Sequence, residues 1–388
     1  MKFWRRLIID FLVLFIVIRF SYNYGRWQGT GGLDLSLMRQ VKNELEDKYL
    51  DKTKINDNEM KYGAIRGLVA SLGDPYTVFL SPKENKGSNE DLAGQFGGVG
   101  ISLGYKDKTL AVMAPLPKSP AEKAGILAGD LILKITDEKK GITRETNEIS
   151  LQEAVSLIRG EVGTEVTLKL YREGNEDTFD VTLKRDNIMV AGVELEWLED
   201  QKIAWIKLSK FTDSLLKEWP MVVDEILSVK TSLDGKNFKG IILDLRNNPG
   251  GYLTASVLVG SDFINEGVIV KQESRHGATI DYQVDPSRKK LLDDKLVVLV
   301  NGGSASAAEI LAGALQFYQR AELVGEKTFG KGTIQEPENF SDGSGIHITI
   351  AKWLLPDSRN IHDEGVSPDI EVKGDKAQLE KAKAILLK

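Results

Sequence analysis

The chain has 388 residues, of which 41% are hydrophobic and 28% are charged, and its formal net charge is −6. This length suffices for two or three domains with separate cores, and the composition is that of a folded soluble protein. No basic stripe stands out in this acidic chain, so we expect no nucleic-acid partner. Because the sequence contains no cysteine, a disulfide framework, thiolate metal sites and a cysteine nucleophile are excluded.

Residues 1–26 are predicted to form a signal sequence or membrane anchor. Lys2, Arg5 and Arg6 precede an apolar run at residues 7–18, which orients the N-terminus toward the cytoplasm. No small-x-small cleavage site follows, so we favour an uncleaved single-pass anchor with the rest of the chain extracytoplasmic, either periplasmic or extracellular. Cleavage would give a secreted protein. A buried helix of a cytoplasmic protein is the other alternative, because the run is short and contains Asp10.

Helices are predicted next along the chain. Residues 27–34 are rich in glycine and suit a flexible tether, and residues 35–91 form a predicted N-terminal helical region. Apolar residues recur at helical spacing from Leu35 to Leu72, with a break near residues 52–57, which predicts two helices. Their amphipathic faces fit core packing or a homo-oligomer equally well.

Residues 92–187 show short alternating strands with glycine turns and two helical pieces. Three motifs occur there in order: Phe96-Gly-Gly-Val-Gly-Ile101, Ser119-Pro-Ala-Glu-Lys-Ala-Gly-Ile-Leu-Ala-Gly-Asp-Leu-Ile-Leu133 and Ile158-Arg-Gly-Glu-Val-Gly-Thr164. With these motifs the segment resembles a PDZ domain in the circularly permuted order of bacterial proteases. The resemblance implies an inserted peptide-binding domain, whereas a small β domain used only for packing is the alternative.

The PDZ resemblance implies a carboxylate-binding loop at Gly98, Val99, Gly100 and Ile101. Consecutive backbone N–H groups can form an anion site for a free C-terminus, and the adjoining strand edge can pair with an extended peptide. The expected partners are therefore proteins or peptides with a free C-terminal tail.

Strands and helices alternate over residues 188–375, and residues 376–388 form a predicted C-terminal helix. The predicted strands include residues 203–208, 240–245 and 296–300, and the predicted helices lie near residues 213–230, 253–263 and 307–318. This alternation is typical of a layered α/β domain.

A hydroxyl nucleophile is predicted at Ser306 in Val300-Asn-Gly-Gly-Ser-Ala-Ser-Ala-Ala-Glu309. The serine follows a strand and a Gly-Gly turn and precedes a helix, a placement that exposes a side chain in serine hydrolases. The backbone N–H of Ala307 would point toward an oxyanion at the helix start. A simpler interpretation is that Ser306 and Glu309 form only a capping box.

A base is predicted at Lys331 in Phe329-Gly-Lys-Gly-Thr-Ile-Gln335. A lysine works as a base at neutral pH only if its amine is neutral, and apolar neighbours such as Phe329 and Ile334 could favour that state. If the segment is extended, Lys331, Thr333 and Gln335 share one face, where Gln335 could hold the amine without adding charge. The simpler alternative is an exposed turn lysine.

These two motifs resemble those of the C-terminal processing peptidases, also called tail-specific proteases. The resemblance implies that Ser306 rather than Ser304 is the nucleophile, that Lys331 is the base and that Gln335 supports it. It also implies a second oxyanion donor in Asp244-Leu-Arg-Asn-Asn-Pro-Gly-Gly-Tyr252, at Gly250 or Gly251. The family's third serine is Ala308 here, at a position that is not the nucleophile.

The sequence therefore predicts a mixed α/β protein with a ClpP- or crotonase-like layered core, an inserted PDZ domain and N-terminal helices. The expected activity is that of a membrane-anchored, extracytoplasmic serine endopeptidase that cleaves proteins near their C-termini. It needs no cofactor, and the sequence shows no metal-binding cluster. A PDZ scaffold with a degenerate protease core and a crotonase-type enzyme acting on a thioester are the alternatives.

Overall fold

The computed structural model describes residues 34–388 except 107–108, 117, 128, 150, 190, 201, 234–236 and 289. The predicted signal or anchor lies outside the described residues, as does the predicted tether except for Asp34. Across the described ranges, no helix has both the length and the apolar character needed to cross a bilayer. The chain divides after Ser71 into two compact units.

The described part of the first unit contains two α-helices, with a short 3₁₀ helix at Lys52–Lys54 between them. Helix α1 spans Ser36–Lys48 and helix α2 spans Asp57–Ala70, which confirms the two helices and the break predicted from the apolar spacing. The side chain of Asn56 caps α2, because its Oδ1 accepts hydrogen bonds from the N–H groups of Asn58 and Glu59. This cap satisfies two donors that a helix start otherwise leaves without partners.

The second unit, Leu72–Lys388, begins with strand β1 (Val78–Leu80) and helix α3 (Pro82–Leu92). Both elements lie inside the predicted helical region of residues 35–91. Strand β1 pairs antiparallel with residues 345–347, far along the chain. The stretch before the PDZ-like segment therefore contributes a strand to the C-terminal half of the protein.

The PDZ-like segment folds around its own apolar core. Its elements are β2 (Gln95–Gly98), β3 (Ile101–Lys106), β4 (Thr109–Pro115), α4 (Pro120–Lys123), β5 (Leu131–Asp137), β6 (Ile142–Glu145), α5 (Leu151–Ile158), β7 (Glu165–Tyr171), β8 (Phe179–Lys184) and β9 (Asp186–Met189). An antiparallel sheet has the order β3-β4-β5-β7-β8, with β6 paired to β5, while β2 pairs with β9. The pairing of β2 with β9 brings together the chain segments that enter and leave this domain.

The remaining residues form the layered core. Its elements are β10 (Val193–Leu198), β11 (Ile203–Leu208), α6 (Leu215–Ser232), β12 (Gly240–Asp244), α7 (Leu253–Phe263), β13 (Val268–Ser274), β14 (Thr279–Gln283), β15 (Leu296–Val300), α8 (Ala307–Phe317), β16 (Glu322–Gly325), β17 (Thr333–Asn339), β18 (Gly345–Leu354), β19 (Ile370–Glu371) and α9 (Asp375–Leu386). The main sheet has the order β10-β11-β12-β15-β16-β19 and is parallel from β11 to β19.

Strands β12 and β15 lie at the centre of the main sheet, and every residue in them is buried. Side chains of α6, α7 and α8 join one apolar cluster of this core, and side chains of α9 join a second cluster with residues of the same central strands. Apolar packing on both faces explains why these strands are continuous hydrophobic runs rather than alternating ones. The layered α/β fold predicted from the sequence is confirmed.

A second, antiparallel sheet was not predicted from the sequence. It has the order β1-β18-β13-β14, with β17 paired to β18. The register pairs Val78 with His347 and Gln335 with Thr349. This sheet therefore brings the chain segments around Asp74, Gln335 and His347 close together.

Candidate active site

Two loops meet at the carboxyl edge of the main sheet, where β12 and β15 end. The N–H of Asn247 donates to Oδ1 of Asn301 at 2.9 Å, and Nδ2 of Asn301 donates to Oδ1 of Asn247 at 3.0 Å. The N–H of Ala305 donates to the carbonyl of Asn248 at 2.9 Å. These bonds fix the loop that carries Ser306 against the glycine loop after β12, at the sheet edge where α/β folds place their ligand sites.

The two serines of the nucleophile motif have different environments. Ser304 is fully buried; its Oγ donates to the carbonyl of Leu245 at 2.7 Å and accepts from the N–H of Asn301 at 3.0 Å. Ser306 is only half-buried and lines a cavity. Its backbone has φ 54° and ψ −116°, a strained conformation for a non-glycine residue that costs about 1–3 kcal/mol. A strained strand-to-helix turn of this kind presents a serine side chain to substrate in serine hydrolases.

The two glycines after β12 have different hydrogen bonds. The N–H of Gly250 donates to Oδ1 of Asn248 at 2.9 Å, whereas the N–H groups of Gly251 and Ala307 find no acceptor among the described residues. A Cβ on Gly250 would lie 2.8 Å from Cβ of Ser306 and 3.0 Å from the backbone N of Ala307. Gly250 therefore provides room beside the serine, and Gly251 has the free N–H.

Lys331 precedes β17 and is held by its backbone. Its carbonyl accepts a hydrogen bond from Nε1 of Trp353 at 2.8 Å, and its N–H donates to Oε2 of Glu309 at 2.9 Å. The Nζ lies 5.1 Å from the ring centroid of Tyr76. Phe329, which the sequence suggested as an apolar neighbour, is 57% exposed; Tyr76, from the segment before β1, is the aromatic side chain that faces the amine.

Burial lowers the pKa of Lys331, while the negative charges of Asp74 and Glu309 act in the opposite direction. Neither carboxylate forms a salt bridge with Nζ in the described part of the chain. The oxygens of Asp74 accept hydrogen bonds from the N–H of Tyr76 at 2.9 Å and from Oγ1 of Thr77 at 2.6 Å. The amine is therefore partly desolvated without a close counter-ion, which favours its neutral form.

Gln335 lies near the start of β17, and a β-bulge falls between Ile334 and Gln335. The regular extended segment begins only at Thr333, so Lys331 itself lies outside the strand. Nε2 of Gln335 donates to Oγ1 of Thr333 at 2.9 Å and to Oγ1 of Thr349 at 3.2 Å. These two bonds fix the amide and leave its oxygen as an acceptor.

Ser306, Lys331 and Gln335 line one cavity of about 560 Å³. The cavity walls also include apolar side chains, namely Leu92, Tyr252, Leu253, Ile310, Ile334 and Trp353. Polar and charged side chains line the rest of the cavity, among them Asp91, Lys210 and Gln272, and clefts that combine apolar walls with placed polar groups are typical substrate sites. Among the described residues, no hydrogen bond joins Ser306 Oγ to Lys331 Nζ, and no group of His, Asp and Glu side chains has the arrangement of a metal site.

Known proteins resemble this chain over most of its length. Residues 202–372 match Peptidase family S41, and residues 97–183 match the PDZ domain. The carboxy-terminal processing protease CtpA of Bacillus subtilis is 35% identical over 93% of this chain and 74% of its own length. A probable CtpA-like serine protease of Staphylococcus saprophyticus is 36% identical over 95% of this chain and 72% of its own length. The chain belongs to the carboxy-terminal processing protease family.

The solved structures agree with this assignment. A photosystem II D1 C-terminal processing protease matches with a TM-score of 0.51 and 29% identity, over 90% of this chain and 96% of its own. A putative S41 protease from Bacteroides fragilis has the same fold, with a TM-score of 0.55, 17% identity and coverage of 87% and 90%. This member of the carboxy-terminal processing protease family is thus a serine protease with a PDZ domain, which leaves the scaffold and crotonase alternatives without support.

The predicted carboxylate loop of this carboxy-terminal processing protease lies between β2 and β3. The carbonyl of Val99 accepts from the N–H of Ala121 at 3.0 Å, and that of Gly100 accepts from the N–H of Leu116 at 2.9 Å. The N–H groups of Val99 and Gly100 have no acceptor among the described residues. Free consecutive N–H groups are what a carboxylate-binding loop requires.

Sequence reasoning missed several side chains around Lys331, namely Asp74, Tyr76 and His347. The Nε2 of His347 is buried and makes no hydrogen bond in the described chain. Burial, and then the positive charge of Lys331, lower the pKa of this imidazole. The sequence contains Asp74-Pro-Tyr76 and only three histidines, but neither feature locates these side chains, because strand pairing far along the chain brings both segments to the site.

Proposed function

We propose that the chain hydrolyses peptide bonds near the C-termini of proteins through a Ser306–Lys331 dyad. The neutral amine of Lys331 takes the proton of Ser306 Oγ while that oxygen attacks the scissile carbonyl. The proton then passes to the departing amine, and water hydrolyses the acyl-enzyme. The observation that carries this proposal is the cavity that Ser306, Lys331 and Gln335 line together.

The lysine environment supports this role. Burial lowers the pKa of Lys331, so a larger share of the amine is neutral than for an exposed lysine. The acceptor oxygen of Gln335 is suited to orient the amine because it brings no charge. Catalytic hydrogen bonds are often long before substrate binds, and we expect the lysine to approach Ser306 Oγ once a peptide fills the cavity.

The oxyanion donors in this proposal are the N–H groups of Ala307 and Gly251. Both lack acceptors in the described chain, whereas the N–H of Gly250 already donates to Asn248. Ala307 begins α8, so its N–H also gains from the positive end of the helix dipole. Two preorganised donors of this kind stabilise the charge of the tetrahedral intermediate.

The PDZ domain is proposed to bind the free C-terminal carboxylate of the substrate at Val99 and Gly100. Their free N–H groups support this assignment. Strand β3 is an edge strand of the PDZ sheet, so an extended tail could pair with it. A tail peptide with a free carboxylate should then bind, and the same peptide with an amidated C-terminus should bind much more weakly.

The cellular location is proposed from the first residues alone. Positive charge at Lys2, Arg5 and Arg6 before the apolar run of residues 7–18 favours an N-terminal anchor with the catalytic part outside the cytoplasm. The test uses cells from which the layers outside the cytoplasmic membrane have been removed while that membrane stays intact. A protease added to these cells should degrade the catalytic part. Protection of that part from the added protease would contradict the proposed location.

The dyad is tested with a serine-directed acylating probe and a tail peptide substrate on the full chain. Ser306→Ala should abolish probe labelling, and Lys331→Ala should lower cleavage by at least about 10³-fold. Ser304→Ala is the matched control; it should lose stability yet still be labelled, because its hydroxyl is committed to Leu245. Full cleavage by folded Ser306→Ala would disprove the proposal.

A further inference from the structure

The carboxylate of Glu309 is the most heavily hydrogen-bonded group near the dyad. Glu309 lies in the first turn of α8 and is 0% exposed. Its Oε1 accepts from Oγ1 of Thr328 and from the N–H of Gly330, both at 2.6 Å. Its Oε2 accepts from the N–H of Ser306 at 2.8 Å and from the N–H of Lys331 at 2.9 Å.

A capping box accounts for only one of these bonds. In a capping box, a glutamate in the first turn reaches back to the N–H of the cap residue, which here is Ser306. The other donors belong to a separate chain segment, residues 328–331, which follows β16. Glu309 therefore joins the segment that carries the nucleophile to the segment that carries the base, and a single oxygen, Oε2, contacts the backbones of both.

The partners of Glu309 are all neutral donors. Four donated hydrogen bonds suit an ionised carboxylate, which only accepts. In the described part of the chain, no Lys, Arg or His side chain forms a salt bridge with Glu309, and the amine of Lys331 is not among its partners. Its negative charge therefore remains uncompensated by any contacting cation, close to the catalytic lysine.

We propose that Glu309 is a positioning residue that holds the backbones of Ser306 and Lys331 at a fixed separation, so that the lysine amine can reach the serine hydroxyl. This inference rests on the proposed dyad and adds a residue to it. Glu309 has no part in proton transfer, because its oxygens are occupied by backbone and threonine donors. Small misplacements of reacting groups are costly, since about 1 Å can reduce a rate by about 100-fold.

The charge of Glu309 adds an effect that a purely structural residue would not have. Lys331 is surrounded by the carboxylates of Asp74 and Glu309, the ring of Tyr76 and the imidazole of His347. The negative charge of Glu309 raises the pKa of Lys331 against the effect of burial. Removing that charge lowers this pKa. The acid limb of the pH–rate profile, where protonation of Lys331 reduces the rate, should therefore move to lower pH.

The test measures the rate of acylation of Ser306 by a serine-directed probe, as a function of pH, in the full chain. Glu309→Gln keeps the shape of the side chain but turns an NH₂ group toward two of the four donors. We expect the plateau rate to fall by about 100-fold and the acid limb to move to lower pH. Asp262→Asn is the control for loss of a buried carboxylate, because Asp262 is also 0% exposed in the same core, although it is paired with Arg288 and does not line the cavity.

A second pair of variants covers the case in which Glu309→Gln fails to fold. Thr328→Val removes one donor to Glu309 and keeps the charge, while Thr328→Ser keeps the hydroxyl. We expect the probe to label Ser306 more slowly in Thr328→Val than in Thr328→Ser. The acid limb of the pH–rate profile should lie at the wild-type pH in both variants.

Three outcomes of this test are distinct. Failure of the wild-type chain to be labelled at Ser306 would refute the proposed dyad, and the positioning role with it. A second outcome is that wild type is labelled and that folded Glu309→Gln shows the same plateau rate and the same acid limb. This outcome would refute the role of Glu309 and leave the dyad standing. If Glu309→Gln does not fold, equal labelling rates of Thr328→Val and Thr328→Ser would refute it instead.

Discussion

A buried arginine and a partly buried lysine of this chain are held in opposite ways. In the PDZ domain, Arg185 is 1% exposed, and its Nη2 donates to Oδ2 of Asp137 at 2.8 Å. Its other donors reach four further oxygens, those of Leu157 O, Ile158 O, Thr164 Oγ1 and Glu165 O. In the catalytic core, the Nζ of Lys331 has no hydrogen bond or salt bridge in the described chain.

The acceptors around a basic side chain decide whether its charged form is stabilised in the folded protein. A cation with a carboxylate and four more acceptors keeps its proton and ties strands and loops together. A cation whose neighbouring carboxylates are occupied by other donors is destabilised in its charged form, which lowers its pKa. Asp74 and Glu309 lie close to Lys331, yet their oxygens are occupied by Tyr76, Thr77 and backbone donors.

The largest expected effect comes from removing the paired cation. Arg185→Met removes the buried cation beside Asp137, which keeps only the half-exposed Lys140 as a partner, and it places an apolar side chain against several acceptors. This loss should cost about 3–5 kcal/mol of unfolding free energy. Urea unfolding followed by circular dichroism measures it. The control is Lys184→Met on the adjacent exposed position, expected within about 0.5 kcal/mol of wild type. Equal losses in the two variants would contradict the structural role of Arg185.

The same substitution at Lys331 should have the opposite effect on stability. Lys331→Met removes an amine whose charged form is disfavoured by burial, so the unfolding free energy at neutral pH should rise by about 1 kcal/mol while labelling of Ser306 is lost. Because the pKa of Lys331 is lowered in the folded chain, the unfolded chain binds more protons between the lowered and the ordinary value. Wild-type stability therefore rises with pH through that window.

The stability difference between Lys331→Met and wild type, measured as a function of pH, checks this prediction. The stability advantage of Lys331→Met should be largest at neutral pH and should shrink as the pH rises toward the ordinary pKa of lysine. Urea unfolding of both proteins at a series of pH values measures the difference. A loss of stability at neutral pH would show that Lys331 contributes to the fold as Arg185 does.

The sequence predicted the parts of this comparison that depend on local patterns. Hydrophobic runs placed β11, β15 and α7 at their observed bounds, because strands buried on both faces and helices in the core carry strong local signals. The strand-turn-helix pattern placed Ser306 immediately before α8. The capping-box pattern also singled out Glu309, although only as a helix cap.

The environment of Lys331 was not predictable in the same way. Asp74, Tyr76 and His347 reach the lysine because β1 pairs with β18 across the whole PDZ insertion, and a periodic pattern carries no information about which distant strand it pairs with. The sequence predicted Phe329 as an apolar neighbour of Lys331 because the two residues are close in the chain. The β-bulge at Ile334 and Gln335 likewise depends on the register with β18.

The smallest expected effect comes from making Lys331 resemble Arg185 by giving it a carboxylate partner. Gln335→Glu should fold, because the hydroxyls of Thr333 and Thr349 can donate to the new carboxylate as they now accept from the amide. The added negative charge raises the pKa of Lys331, so the acid limb of Ser306 labelling should move to higher pH. Gln335→Ala adds no charge, and it should lower the plateau while leaving the limb in place. If the limb of Gln335→Glu stays at the wild-type pH, the side chain at this position does not face the amine, and the lysine is neutralised by burial alone.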